Sequence, residues 1–303
     1  MRVFALFIML LSPVLATAED LPAMLSPAEF ELLEAPWEGR ILEVVAPGRA
    51  APTKHLPGAA VTHFEADGWT VDYPELPGMV PPPERLARLI GGMGIGAETP
   101  VILVPTETDT HAMAAATRIF WTLRLAGHKR VSVLEGGLPG VAQRATAETP
   151  SVPTPQPYRL GTAPKISARM EAVFAGQDYR TPPFDTRDRA RHYGETKHPR
   201  ALEKGTIRGA AFMPAEAMID PQTGFFKSKA ELNALFARDL GTPPGPVVLF
   251  SDIGYRASLV WFAAHYVMGL SDVRLFDGSY LQWELEGGIV ENLSNDMGGA
   301  VGG

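Results

Sequence analysis

Short apolar runs alternate with longer amphipathic stretches along this chain. Val101-Ile102-Leu103-Val104 and Val247-Val248-Leu249-Phe250 are apolar runs of strand length, each directly after a proline (Pro100, Pro246). A loop then leads into a stretch with helical spacing. The first, Ala114–Ala126, carries Ile119, Phe120, Leu123 and Leu125; the second, Arg256–Met268, carries Leu259, Val260, Phe262 and Ala263. Trp121, Trp261 and Phe262 fall on these helical faces and are expected in the core. Each half closes with a strand and a tight turn, Val131–Leu134 before Glu135-Gly136-Gly137 and Val273–Phe276 before Asp277-Gly278-Ser279.

The same elements thus occur twice. Ile41–Val44 contains the acid Glu43, and Phe184-Asp185-Thr186-Arg187 places an acid similarly. His55-Leu56-Pro57-Gly58-Ala59-Ala60 matches Thr206-Ile207-Arg208-Gly209-Ala210-Ala211. The separation shrinks steadily from Ala59/Ala210 through Pro100/Pro246 to Gly136/Gly278. That drift indicates a duplicated domain with loops of unequal length, not a short-period solenoid. Strand, helix and strand in alternation predict an α/β fold, each half a mostly parallel sheet with helices on both faces.

Residues 19–30 read as a lead-in helix. Residues 146–169 read as an extended linker, because Pro150, Pro153, Pro155, Pro157 and Pro164 recur among Thr, Ala and Ser. The domains are therefore expected at 19–145 and 170–286, with a Gly-rich flexible tail at 287–303. Gly91-Gly92-Met93-Gly94-Ile95-Gly96 follows a helical stretch (Glu84–Ile90) and precedes a strand. A dinucleotide motif needs the reverse order, so a helix C-cap is expected there.

Composition narrows the function. The 303 residues, 46% hydrophobic and 20% charged, suit two domains, each with its own core. The net charge of -7 favours neither nucleic acid nor an anionic membrane surface as partner. Arg2, the apolar run Val3–Leu11 and the small residues Ala16-Thr17-Ala18 make residues 1–18 a secretory signal, cut after Ala18. The run is too short to span a bilayer. A periplasmic or secreted protein is expected. There is no cysteine, hence no disulfide, persulfide or thiolate–metal chemistry on this chain. The histidines form no metal-binding pattern, His192 and His198 merely flanking a loop, and no metal or cofactor is expected.

The order of these elements resembles the rhodanese family, which includes tandem-domain thiosulfate and 3-mercaptopyruvate sulfurtransferases. The resemblance rests on the Gly-Ala steps after His55-Leu56 and Ile207, on Leu123-Arg124-Leu125-Ala126-Gly127-His128, and on Leu134-Glu135-Gly136-Gly137. In the second half Asp185-Thr186-Arg187, Arg191, Gly194 and Lys204–Ala210 follow the family's substrate-side pattern. The likeness covers residues 30 to 285. It implies two tandem rhodanese-like domains, the first silent and the second bearing an active loop of the form Cys-x-x-Gly-x-Arg or Cys-x-x-Gly-x-Thr.

Here that loop is Ser251-Asp252-Ile253-Gly254-Tyr255-Arg256, with Ser251 at the cysteine position. The first-domain loop, Pro105 to Met113, has no Gly or Arg in register. Thiosulfate-type members carry Lys where Ile253 stands, and the family places a donor-binding arginine at Arg191. A strand-to-helix turn presents backbone N–H groups at the positive end of a helix, Gly254 permits unusual backbone, and Arg256 adds a fork of donors. A cradle for a small oxyanion or sulfur-containing anion is expected across 251–256. Asp252 is expected to repel an anion, and Arg187, Arg189, Arg191, His192, Lys197 and Arg200 form a local basic run. Serine is a weak nucleophile without a base and cannot hold sulfane sulfur as a persulfide. The expectation is an exported rhodanese-like pseudoenzyme that binds a small anion or an exported protein partner. The alternatives are a sulfurtransferase using a partner's thiol and a serine-based phosphate or sulfate ester hydrolase.

Overall fold

The structure is a computed structural model that describes residues 21–33, 37–176, 182–240 and 246–294. The signal and cleavage site expected at 1–18 lie outside the described residues. The first sheet uses β1 (Met24–Leu25), β2 (Arg40–Val45), β3 (Ala60–His63), β4 (Val101–Pro105) and β5 (Val131–Leu134). The second half supplies β6 (Ser167–Ala168), β7 (Phe184–Asp185), β8 (Thr206–Ile207), β9 (Ala211–Phe212), β10 (Val247–Phe250), β11 (Val273–Phe276) and β12 (Val290–Glu291). The strand orders are β1-β5-β4-β2-β3 and β6-β11-β10-β7-β9, with every pair parallel. The two orders superpose strand for strand, so the repeat seen in the sequence is a repeat of topology. The expected tandem α/β fold is present.

Helices fill the connections. They are α1 (Pro27–Glu31), α2 (Pro83–Gly92), α3 (Thr110–Leu125), α4 (Gly137–Gly140), α5 (Met170–Gly176), α6 (Arg189–His192), α7 (Lys229–Leu240), α8 (Tyr255–Phe262) and α9 (Ser279–Leu285). The Asp109 side chain accepts the Ala112 N–H at 2.8 Å, which starts α3 at Thr110, four residues before the expected Ala114. At Ala263–Val267 the helical backbone after α8 widens into a π-turn instead of running on regularly to Met268. At the end of α2, Met93 is the C-cap and Gly94 has φ +71°, so the Gly-rich stretch ends a helix as expected.

Three edge regions depart from expectation. The lead-in is not one helix. Met24–Leu25 pairs with Val133–Leu134, and only Pro27–Glu31 is helical, begun by a Ser26–Glu29 capping box. The second sheet takes its edge strand from Ser167–Ala168, inside the Pro-rich stretch. In the tail, Val290–Glu291 pairs antiparallel with Thr206–Ile207, and Trp283 Nε1 donates to Ile289 O at 3.0 Å. The tail expected from 287 thus opens with a short paired strand. Pairings of two residues leave no periodic trace to read.

Burial explains how the sheets are joined. Successive strand residues face opposite ways, and both faces are covered. Val101 and Leu103 point into the same cluster as Val247 and Leu249; Ile102 and Val104, and likewise Val248 and Phe250, point into separate outer clusters. Instead of two independent cores there is one inner core running through both halves, plus an outer one on each sheet. Its centre is α3 against α8, where Phe120 meets Phe262 edge-on at 4.9 Å and Thr117 Oγ1 lies 3.3 Å from Ser258 Oγ. Trp121, Trp261 and Phe262 are all buried there. The Pro-rich stretch lies along the first half: Gln156 N–H donates to Gly91 O and Gly161 N–H to Ala126 O. A Cβ on Gly91 would meet Gln156 O at 2.3 Å, so this contact needs glycine.

Candidate functional site

The chain leaves β10 at Phe250, turns through Ser251–Gly254 and enters α8 at Tyr255. Gly254 has φ +74°, and a Cβ there would sit 2.9 Å from both Arg118 Nη1 and Asp277 O. Glycine is required on both counts. The turn after β11 buttresses the loop. Tyr280 N–H donates to Ser251 O at 3.0 Å, Leu281 N–H to Asp252 O at 3.2 Å, and Ser251 N–H to Ser279 Oγ at 3.1 Å. Among the described residues, the N–H groups of Asp252, Ile253 and Gly254 find no acceptor. Ser251 Oγ is buried and has no hydrogen-bond partner. Neither His198 nor Asp252, which line the same cleft, bonds to it.

Behind the loop, Asp185 organises a buried cluster. Arg187 binds it with Nε at 2.9 Å and Nη2 at 2.7 Å, Thr206 Oγ1 donates at 2.7 Å, and His192 Nδ1 lies at 3.1 Å. Burial alone would raise the Asp185 carboxyl, but Arg187 and His192 outweigh it and hold the carboxyl well below its usual range. The first half has a counterpart: Glu43 accepts the Leu56 N–H at 2.7 Å and lies 2.6 Å from His55 Nδ1. These acids brace the strands and do not line the cleft.

The basic run therefore makes no single face. Arg187 and His192 serve Asp185; Arg189 pairs with Glu195 at 3.1 Å; Lys197 Nζ donates to Ala201 O and Leu202 O. Only Arg191 and Arg200 reach the cleft, and Arg200 also donates to Pro74 O. Asp252 is not a free repulsive charge, because Arg191 Nη1 donates to its Oδ2 at 2.7 Å. Ile253 packs on Gly78 of the first half. The Tyr255 hydroxyl donates to His111 O at 2.7 Å, and burial pushes it well above its ordinary value. Arg256 lines the cleft and contacts Glu216.

The cleft, of about 790 Å³, is built from both halves. The first contributes Phe64, Arg85, His111 and Arg118, among others. Arg118 was not singled out from the sequence. It is fully buried on α3, donates Nη2 to Gly78 O at 3.2 Å and contacts the Asp277 carboxylate. Asp277 also accepts the Val80 N–H at 3.0 Å. The Arg118 Nε and Nη1 have no partner, and Nη1 faces the Gly254 turn. One trace was available: a lone charge inside the apolar stretch Ala114–Trp121 has to be matched somewhere. In the first half, the loop equivalent to 251–256 is acidic, Glu107 and Asp109 both pairing with Arg49 at 3.1 and 2.7 Å.

The chain has relatives among known proteins. The family model described as a rhodanese-like domain matches residues 172–286. A thiosulfate sulfurtransferase of Cricetulus griseus is 30% identical over 235 residues, 76% of this chain and 77% of that protein. The 3-mercaptopyruvate sulfurtransferase of Homo sapiens is 28% identical over 285 residues, 93% of this chain and 94% of that protein. Among solved structures, the Tum1 protein of Saccharomyces cerevisiae superposes with a TM-score of 0.71 at 20% identity, covering 89% of this chain and 98% of that one.

The Asp185 cluster is a direct test of this geometry. Arg187→Met should leave the buried Asp185 carboxylate with only Thr206 and His192 and destabilise the protein by about 3–5 kcal/mol in chemical denaturation. A loss below about 1 kcal/mol would show that the pair is not a brace.

Proposed function

The chain belongs to the rhodanese family of sulfurtransferases, and from that premise we propose that it is an exported member that binds a small oxyanion in the 251–256 cradle and transfers no sulfur. The observation that carries this reading is the buried, unpartnered Ser251 Oγ beside three amide N–H groups without acceptors, at the start of α8. Such a turn stabilises negative charge without any nucleophile. Arg118 Nη1, also unpartnered, faces the same turn from the other half.

The family reaction requires a thiolate that attacks the outer sulfur of thiosulfate, expels sulfite and keeps the sulfur as a persulfide. Ser251 offers a hydroxyl with no base bonded to it. The same absence of a bonded base weighs against a serine hydrolase. The resemblance places lysine at position 253, whereas Ile253 is apolar and rests on Gly78. No helix among the described residues is long and apolar enough to cross a membrane.

Three measurements follow from this reading. Calorimetric titration with thiosulfate or sulfate should show saturable binding, weakened about tenfold or more by Arg256→Ala, the effect of one charge-assisted hydrogen bond. The same protein should form no thiocyanate from thiosulfate and cyanide; turnover above a heat-inactivated control would refute the absence of transfer. The mature chain recovered from an exporting host should begin at Glu19 by N-terminal sequencing, and retention of Met1 would refute export through this segment.

A further inference from the structure

Three arginines of the cleft are engaged by acids, and the acids differ in where they sit. Arg118 is engaged by Asp277 and Arg256 by Glu216, acids outside the loop. Arg191 is engaged by Asp252, an acid of the loop itself. Asp252 is 5% exposed, its Oδ2 takes the 2.7 Å bond from Arg191 Nη1, and its Oδ1 has no hydrogen-bond partner. Arg187 Nη1 stands 3.5 Å from Oδ1. This carboxylate takes the guanidinium contact that a bound oxyanion would make, and leaves the loop amides free.

We propose that Asp252 is the specificity-determining residue of this site, an internal carboxylate that occupies Arg191 and excludes oxyanions until it gives that arginine up. The inference rests on the oxyanion-binding reading above. While Asp252 is charged, an entering dianion must displace it from Arg191 and then lie against a buried negative charge. Once Asp252 is neutral, the Nη1 of Arg191 is released, its Nε keeping only the 3.6 Å contact with Asp188, and the repulsion is gone.

The groups facing Asp252 set the direction of the pH response. Burial favours its neutral form, Arg187, Arg191 and His198 favour the charged form, and Asp185 again favours the neutral one; the balance raises the carboxyl above its ordinary value. Oxyanion affinity therefore rises as pH falls through this raised pKa and is lost as pH climbs above it. His198 also lines the cleft, and its protonation would act in the same direction. Burial holds its proton affinity below the ordinary histidine value. The test must separate the two.

Sulfate is the probe, because its charge does not change from about pH 5 to pH 8, the window in which a histidine changes charge. Its affinity is measured by calorimetry for the full chain, Asp252→Asn and His198→Gln. The wild type is expected to bind about tenfold or more tightly at the acid end. Asp252→Asn is expected to bind at neutral pH about tenfold more tightly than wild type, with little pH dependence, and His198→Gln to keep the wild-type profile. A flat wild-type profile overturns the proposal without recourse to any variant. So does an Asp252→Asn protein that binds no tighter, or a pH response that survives in it and vanishes in His198→Gln. If no form binds sulfate at any pH, the oxyanion-binding reading falls along with the inference. If sulfate binds equally well to all three at every pH, that reading stands and only the role of Asp252 falls.

Discussion

The buried guanidinium of Arg118 ties the two halves together at the point where the cleft forms. It leaves α3 in the first half, takes Gly78 O from a first-half loop, and meets Asp277 just after β11 in the second. A charge taken wholly out of water must be matched, or the fold loses several kcal/mol. Asp277 is thereby fixed, and with it the Val80 N–H that it accepts. The stretch between Val71 and Met79, closed by an antiparallel bridge, is seated against Ile253. Gly254 then has its φ of +74° in the only space left between Arg118 and Asp277 O. The cradle is shaped by the junction as much as by its own sequence.

The inner core gives this junction its rigidity. Phe120, Trp261, Phe262 and their neighbours make one apolar cluster across both sheets. The halves are thus not two beads on a string, although each carries the same strand order. Duplication leaves two strand-to-helix loops, and the charges around them differ. The first-half loop is closed by Glu107, Asp109 and Arg49. The second keeps its amides free and faces a cleft.

Much of this was legible in the sequence. Apolar runs after Pro100 and Pro246, helical spacing in Ala114–Ala126, and paired turns at Gly136 and Gly278 reflect periodic constraints, and periodicity survives in a string of letters. Met24–Leu25, Ser167–Ala168 and Val290–Glu291 did not show, because a two-residue edge strand depends on its partner and has no period of its own. At the site, Ser251 and Gly254 could be placed by their position after a strand. Asp252 was misread as a bare repulsive charge, since its partner Arg191 is distant along the chain. The basic run was misread for the opposite reason: neighbours in sequence, Arg187, Arg189 and Arg191 make their shortest ion pairs with Asp185, Glu195 and Asp252 respectively. Arg118 looked like part of an ordinary helix, because both its partners come from elsewhere.

The resemblance places a sulfur where Ser251 puts an oxygen. The oxyanion-cradle reading implies that restoring this sulfur restores acceptance of sulfane sulfur. The most direct test is the intact mass of Ser251→Cys after exposure to thiosulfate, with and without Asp252→Asn. The account predicts that both proteins gain one sulfur atom as a cyanide-releasable persulfide, the double variant faster, while the wild type gains none. An unchanged mass in both, with the new thiol still reactive to a titrant, would contradict it.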